Sequence, residues 1–174
     1  MENLLAATKI EDNTMILNMK PELMEEVINE ALRHIKRKSI NHFIKVTSSH
    51  DIIFAKMDAK LIIQVIINIV DNALKYTPEN THINIHTQKN KDMVLVKISD
   101  DGNGLSDKDK EKIFDMFYTV NNQIVDSKRS LGLGLALCKS IILAHGGEID
   151  VKDNKPRGTV FSFTLPSEEV NLHE

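Results

Sequence analysis

An α+β fold, with a mixed sheet and helices packed on one face, follows from three features of the sequence. Leu23, Met24, Val27, Ile28, Ala31, Leu32 and Ile35 recur at helical spacing, which predicts an amphipathic helix. The run from Leu61 to Leu74 is apolar almost all round, which predicts a helix buried between neighbours. Ile83–Gln88 and Met93–Ser99 alternate in polarity on either side of Lys89-Asn90-Lys91-Asp92 and read as a hairpin.

The remaining elements follow in chain order. Met1 to Lys9 reads as a short amphipathic helical piece, too short to be stable alone. A strand is expected over Met15–Met19, with Pro21 in the first turn of the helix that carries Leu23 to Ile35. Strands around Phe43–Thr47 and Ile52–Met57 follow. Asp58 is the expected N-cap of the buried helix, which runs to Tyr76 or Thr77, where Pro78 stops it. Beyond the hairpin come a helical turn near Asp107–Phe117 and a polar loop from Tyr118 to Ser130. A third helix runs from near Gly132 to Gly146-Gly147, where glycine suits a left-handed cap. Glu148–Lys152 and Thr159–Leu165 are the last strands, joined through Pro156-Arg157-Gly158.

Composition narrows the function. The 174 residues are 41% hydrophobic and 27% charged, with a net charge of -3, which suits one globular domain and argues against a nucleic-acid binder. The basic cluster Arg33, Lys36, Arg37 and Lys38 sits beside Glu25, Glu26 and Glu30 and reads as a solvated helix face. The single Cys138 has no internal disulfide partner, so a reducing compartment is expected. The N-terminus lacks a signal-peptide pattern, and polar residues interrupt the most apolar stretch, so a cytoplasmic chain without membrane contact is expected.

The polar exceptions within the buried helix are Gln64, Asn68, Asp71, Asn72 and Lys75. At about 100° per residue they fall within an arc of about 100°. A polar seam facing solvent or a loop would explain them; so would a ligand, since buried amides need partners. Two carboxamide oxygens one turn apart form a hard, neutral site for Mg²⁺, and Lys75 can reach an anionic oxygen nearby. The strand through Val94, Val96 and Ile98 ends in Asp100-Asp101-Gly102-Asn103-Gly104, a place for close ligand approach or simply a glycine-rich turn. Asp100 there could accept a hydrogen bond from the exocyclic amine of adenine. Leu131-Gly132-Leu133-Gly134-Leu135 opens the third helix, where main-chain N–H groups and the helix dipole favour phosphate. The spacing matches neither the dinucleotide fingerprint nor a Walker loop.

Together these residues resemble the ATPase domain of histidine kinases, in the superfamily of gyrase, heat-shock chaperone, kinase and mismatch-repair ATPases. Gln64 to Pro78 is similar to the family's N box, Asp100–Gly104 to its first glycine box, and Lys112–Tyr118 to its F box. Gly132–Leu135 is similar to the second glycine box, and Gly158–Pro166 to the closing strand. The resemblance implies a two-layer α/β sandwich, the Bergerat ATP-binding fold, over residues 13–168. Residues 1–12 would be the tail of a dimerisation helix, and 169–174 a C-terminal tail.

The resemblance also implies a site for ATP and Mg²⁺. Asn72 and Asn68 would bind the metal, Lys75 and Tyr76 would line the phosphate and ribose region, and Asp100 would read adenine. Asn68 and Lys75 would be the catalytic pair. Gly102, Gly104, Phe117, Lys128, Arg129, Gly132, Leu133, Gly134 and Thr159 complete the implied nucleotide contacts. Tyr118 to Leu131 would form a mobile lid, although Ser130-Leu131 stands where the family usually has Gly and a small residue. The stretch from Asp126 to Ser140, with His145-Gly146-Gly147, resembles Kdp-type potassium-response sensor kinases.

Hydrolytic members of the superfamily place Glu where Asn68 stands. Asn cannot take a proton from water, so the expected chemistry is phosphoryl transfer to a nucleophile on another domain. The implied partners are a dimerisation domain carrying the phosphoacceptor histidine, in a parent protein anchored in the membrane, and a response regulator. A serine-directed anti-sigma-factor kinase and a catalytically dead nucleotide sensor are the alternatives. The family's acceptor motif, His-acidic-Thr/Ser-Pro, is absent from this sequence: Ile35 and Lys36 follow His34, and Phe43 follows His42. Both histidines read as ordinary surface residues.

Overall fold

The computed structural model describes residues 16–120 and 134–170. The strands are β1 (Lys20–Leu23), β2 (Phe43–Ser48), β3 (Phe54–Met57), β4 (His82–Asn90), β5 (Met93–Asp100), β6 (Ile149–Asp153) and β7 (Thr159–Glu168). The helices are α1 (Met24–Ile35), α2 (Ala59–Tyr76), α3 (Asp107–Lys112) and α4 (Gly134–Ala144). The strands form one seven-stranded sheet in the order β1-β3-β7-β5-β4-β2, with β6 also paired to β7. Among the described residues only the β2–β4 pairing is parallel; the rest are antiparallel, so the sheet is mixed as expected.

One sheet face is apolar because Ile83 and Ile85, Val94, Val96 and Ile98, and Phe161, Phe163 and Leu165 alternate inward along β4, β5 and β7. Against them lies α2, itself flanked by α1 and α4, with Ile62, Val65, Ile66, Ile69 and Val70 buried. Each such side chain contributes about 1.5–3 kcal/mol when fully buried. Just past the end of α2, Thr77 lies beside Gly102 of the first glycine box, which brings the end of this helix to the end of β5. Among the described residues, no helix is long and apolar enough to cross a membrane.

Several boundaries differ from expectation. The strand expected over Met15–Met19 forms instead at Lys20–Leu23, where Pro21 lies in β1 opposite Lys56. An edge strand tolerates proline because one side of it makes no ladder. α1 therefore begins at Met24, whose N–H donates to the Ile53 carbonyl at 3.0 Å. Asp58 is the N-cap of α2, yet its side chain does not cap the helix. Its carboxylate accepts from the Asn18 N–H at 3.1 Å, and its own N–H donates to His145 Nε2 at 3.0 Å. α3 stops at Lys112, short of the expected Phe117, and Ser106 caps it by accepting from Asp109 N at 3.1 Å. The expected start of the third helix at Gly132 lies outside the described residues.

Candidate functional site

The stripe on α2 is where the sequence placed it, and each member has a distinct environment. Asn68 Nδ2 donates to the Gly134 carbonyl at 3.4 Å, tying α2 to the first turn of α4, and it also contacts the Cys138 thiol. That use of the amide nitrogen leaves Oδ1 as the acceptor. Burial pushes the Cys138 thiol up to about 12, so it serves as packing and not as a nucleophile. Asn72 is partly exposed one turn further along, and Tyr76 is exposed at the end of the helix.

Asp71 stands between two cations. Its Oδ2 is 3.0 Å from Lys75 Nζ and its Oδ1 is 3.0 Å from Lys38 Nζ. Burial raises the Asp71 pKa, but hydrogen bonds and charge from Lys75 and Lys38 outweigh it and hold the carboxyl below its ordinary value. Lys38 therefore does not lie on a freely solvated helix face: it follows the end of α1 and pairs with α2.

Asp100 ends the strand that leads into the first glycine box. It is a buried carboxylate, 7% exposed, at the C-terminal end of β5. Its Oδ1 accepts from Gly102 N at 2.9 Å, and Thr159 N also donates to the carboxylate. Burial nevertheless dominates and raises its pKa. A side chain at Gly102 would place Cβ 2.5 Å from Thr77 Cγ2 and 3.0 Å from Asp100 Oδ1, filling the space beside the carboxylate. Gly158, at φ +102, leaves no room either: its Cβ would sit 2.0 Å from the Asp100 carbonyl oxygen. Gly104 packs by its backbone against Gly158, and Thr159 is buried at the start of β7. These residues form one knot around Asp100.

Three contributors were not evident in the sequence. Asn154 Nδ2 donates to the Asp100 carbonyl at 2.8 Å. Thr77 walls the space beside Gly102, and its hydroxyl donates to the Ala73 carbonyl. That hydroxyl oxygen must then accept from His42 Nε2 at 3.2 Å, so His42 carries its proton on Nε2 and presents Nδ1 as a buried acceptor with no partner among the described residues. His42 is thus partly buried behind the site, not an ordinary surface histidine; His34 is exposed and faces Glu30. The only sequence signal here was Thr77-Pro78 closing the helix.

Phe114 packs edge-on against Phe161, with ring centroids 6.1 Å apart. Phe117 is 64% exposed with φ +62, a conformation that side chains rarely adopt. Lys128, Arg129, Gly132 and Leu133, with residues 121–131 of the expected lid, lie outside the described residues, while Tyr118 at its start donates its hydroxyl to Asp109 Oδ1 at 2.6 Å. Among the described residues no three His, Cys, Asp or Glu side chains converge as a metal cage. The arrangement instead offers amide oxygens and a cation on one face of α2, and a buried carboxylate acceptor at the end of β5. That donor set suits a hard cation which also takes anionic ligand oxygens.

Residues 57–169 match the family described as histidine kinase-, DNA gyrase B-, and HSP90-like ATPases. The chain belongs to that ATP-binding family, and within it to the protein histidine kinases, as the following relatives establish. It is 31% identical to the solved catalytic domain of the histidine kinase ThkA, with a TM-score of 0.75 over 86% of this chain and 95% of that one. It is 42% identical to the sensor protein KdpD of Clostridium acetobutylicum over 97% of its own length, but spans only 19% of that protein. A ThkA structure in complex with the response regulator TrrA aligns at 27% identity, with a TM-score of 0.76 over 96% of this chain and 48% of that one. The expected fold class is therefore met.

Proposed function

We propose that the chain binds Mg-ATP and presents the γ-phosphoryl group to a histidine on the dimerisation domain of a parent sensor kinase, for onward transfer to a response regulator. The observation that carries this reading is Asn68. Its nitrogen donates to the Gly134 carbonyl at 3.4 Å, so what this position offers to the expected phosphates is a neutral amide oxygen and not a base for water.

Each neighbour then has a role. Asp100, satisfied on one side by Gly102 and Thr159, accepts from the adenine amine. Tyr76 lines the phosphate and ribose region, and Phe117 is a further nucleotide contact. Asn68 and Asn72 hold Mg²⁺ through their oxygens, and the metal supplies charge neutralisation at the phosphate oxygens. Lys75 reaches the phosphates, with Lys128, Arg129 and the N–H groups of Gly132, Leu133 and Gly134 closing on the same oxygens. Gly102 and Gly104 keep the approach to Asp100 open. Residues 13–168 form the catalytic unit, 1–12 the tail of the dimerisation helix and 169–174 a short tail.

The likeness to KdpD supports a potassium or osmotic response as the signalling context, with a membrane-anchored parent and a cytoplasmic catalytic domain. The ThkA–TrrA complex supports a response regulator as the downstream partner. Titration calorimetry tests the site. ATP with Mg²⁺ should bind; Asp100→Asn should reduce preference for ATP over GTP, and Asn72→Ala should remove the response to EDTA. Unchanged binding in both variants would rule out the assignment.

A further inference from the structure

We infer that Lys38, which lies outside every motif of the site, is a positioning residue for nucleotide phosphate, acting on Lys75 through Asp71. The inference rests on the nucleotide reading above. Lys75 belongs to the stripe that faces the ligand, yet its ammonium is 3.0 Å from Asp71 Oδ2. A lysine paired with one carboxylate presents no net charge to a polyanion. The second oxygen of that carboxylate is occupied by Lys38 Nζ, also at 3.0 Å, so the trio as a whole carries one net positive charge.

The geometry separates two tasks. Asp71 fixes the Lys75 head group on the ligand side of α2, reducing the rotamer freedom that an unpaired lysine would lose on binding. Lys38 offsets the charge of Asp71, so that this orientation does not cost attraction for phosphate. The carboxylate is only 18% exposed and Lys75 29%, so solvent screens their pairing less than an ordinary surface pair. Lys38 is 63% exposed and comes from the segment after α1, 33 residues before its partner. Its replacement therefore leaves the core intact.

The experiment titrates the intact chain with Mg-ATP and with adenosine, comparing wild type with Lys38→Met, Lys38→Arg and Lys38→Met combined with Asp71→Asn. Lys38→Met should weaken ATP roughly three- to tenfold, the scale of one partly screened unit charge near a polyanion, and leave adenosine unchanged. Lys38→Arg should retain wild-type affinity. The double variant should recover most of the loss, because it restores one net positive charge beside the phosphates. In a transfer assay Lys38→Met should raise the KM for ATP without lowering kcat. Wild-type ATP affinity in Lys38→Met, an equal loss for adenosine, or a double variant as weak as Lys38→Met would each overturn the inference while leaving the nucleotide site standing. A wild-type chain that binds neither ligand would remove the nucleotide reading and this inference with it.

Discussion

Asn154 and Asp100, 54 residues apart, are joined by a 2.8 Å hydrogen bond from the Asn154 side-chain amide to the Asp100 main-chain carbonyl. The same carbonyl oxygen is what a side chain at Gly158 would strike at 2.0 Å. The turn between β6 and β7 is therefore moulded onto the end of β5, and the acid proposed to read adenine is held from behind.

Gly158→Ala should consequently damage stability and binding together. The added methyl meets backbone and the φ of +102 disfavours any side chain, so a loss of about 2–4 kcal/mol is expected. Asn154→Ala should cost only about 1 kcal/mol, the scale of a single hydrogen bond. Urea unfolding of both variants, paired with ATP titration, checks the ranking. A Gly158→Ala protein as stable as wild type would mean that the turn is not packed against β5 in this way.

A second relationship sets a pH dependence. His145 is buried, its Nδ1 proton donates to the Ile141 carbonyl at 2.7 Å, and its Nε2 lone pair accepts from Asp58 N at 3.0 Å. Burial holds its pKa below the ordinary 6.5, against weaker opposing effects from the Ile141 carbonyl and the Asp58 charge. The unfolded chain therefore takes up a proton near pH 6.5 while the folded chain does not. Stability should be unaffected by this group above that pH and should fall as pH drops below it, by up to about 1.4 kcal/mol per pH unit, until the folded pKa is reached. Urea midpoints at pH 7.5 and 5.5 test this, with His145→Gln showing a smaller difference than wild type. An equal difference in both proteins would assign the pH dependence elsewhere.

Cys138 gives a simpler test. Its thiol is fully buried and pushed up to about 12, so it should resist a thiol reagent in the folded protein and react only on unfolding. Rapid labelling under native conditions would mean that α4 opens away from α2 far more readily than this packing allows.

The sequence revealed those parts of the site that depend on local periodicity. Asn68, Asn72 and Lys75 share a face because α2 is one regular helix, and Asp100 to Gly104 are contiguous. What it did not reveal depends on contacts between distant segments. Lys38 reads as a surface charge until its partner 33 residues away is known, and Asn154 as a turn residue until β5 lies beside it. His42 was misread because its partner Thr77 is 35 residues on. Pro21 was assigned to a helix because its local pattern fits a first turn, whereas pairing with β3 along the sheet edge decides its conformation. Position alone identified Asp58 as an N-cap; it could not show that the carboxylate turns to Asn18 instead.

The central claim is that Asn68 leaves ATP intact for a nucleophile brought by another domain. The most direct measurement incubates the chain with γ-labelled Mg-ATP, alone and with a dimerisation domain carrying the acceptor histidine, and follows both labelled protein and free phosphate. The chain alone should remain unlabelled and release phosphate very slowly, while the added domain should acquire acid-labile label on its histidine. Rapid phosphate release by the chain alone, or ATP binding with no transfer to the histidine, would contradict the account.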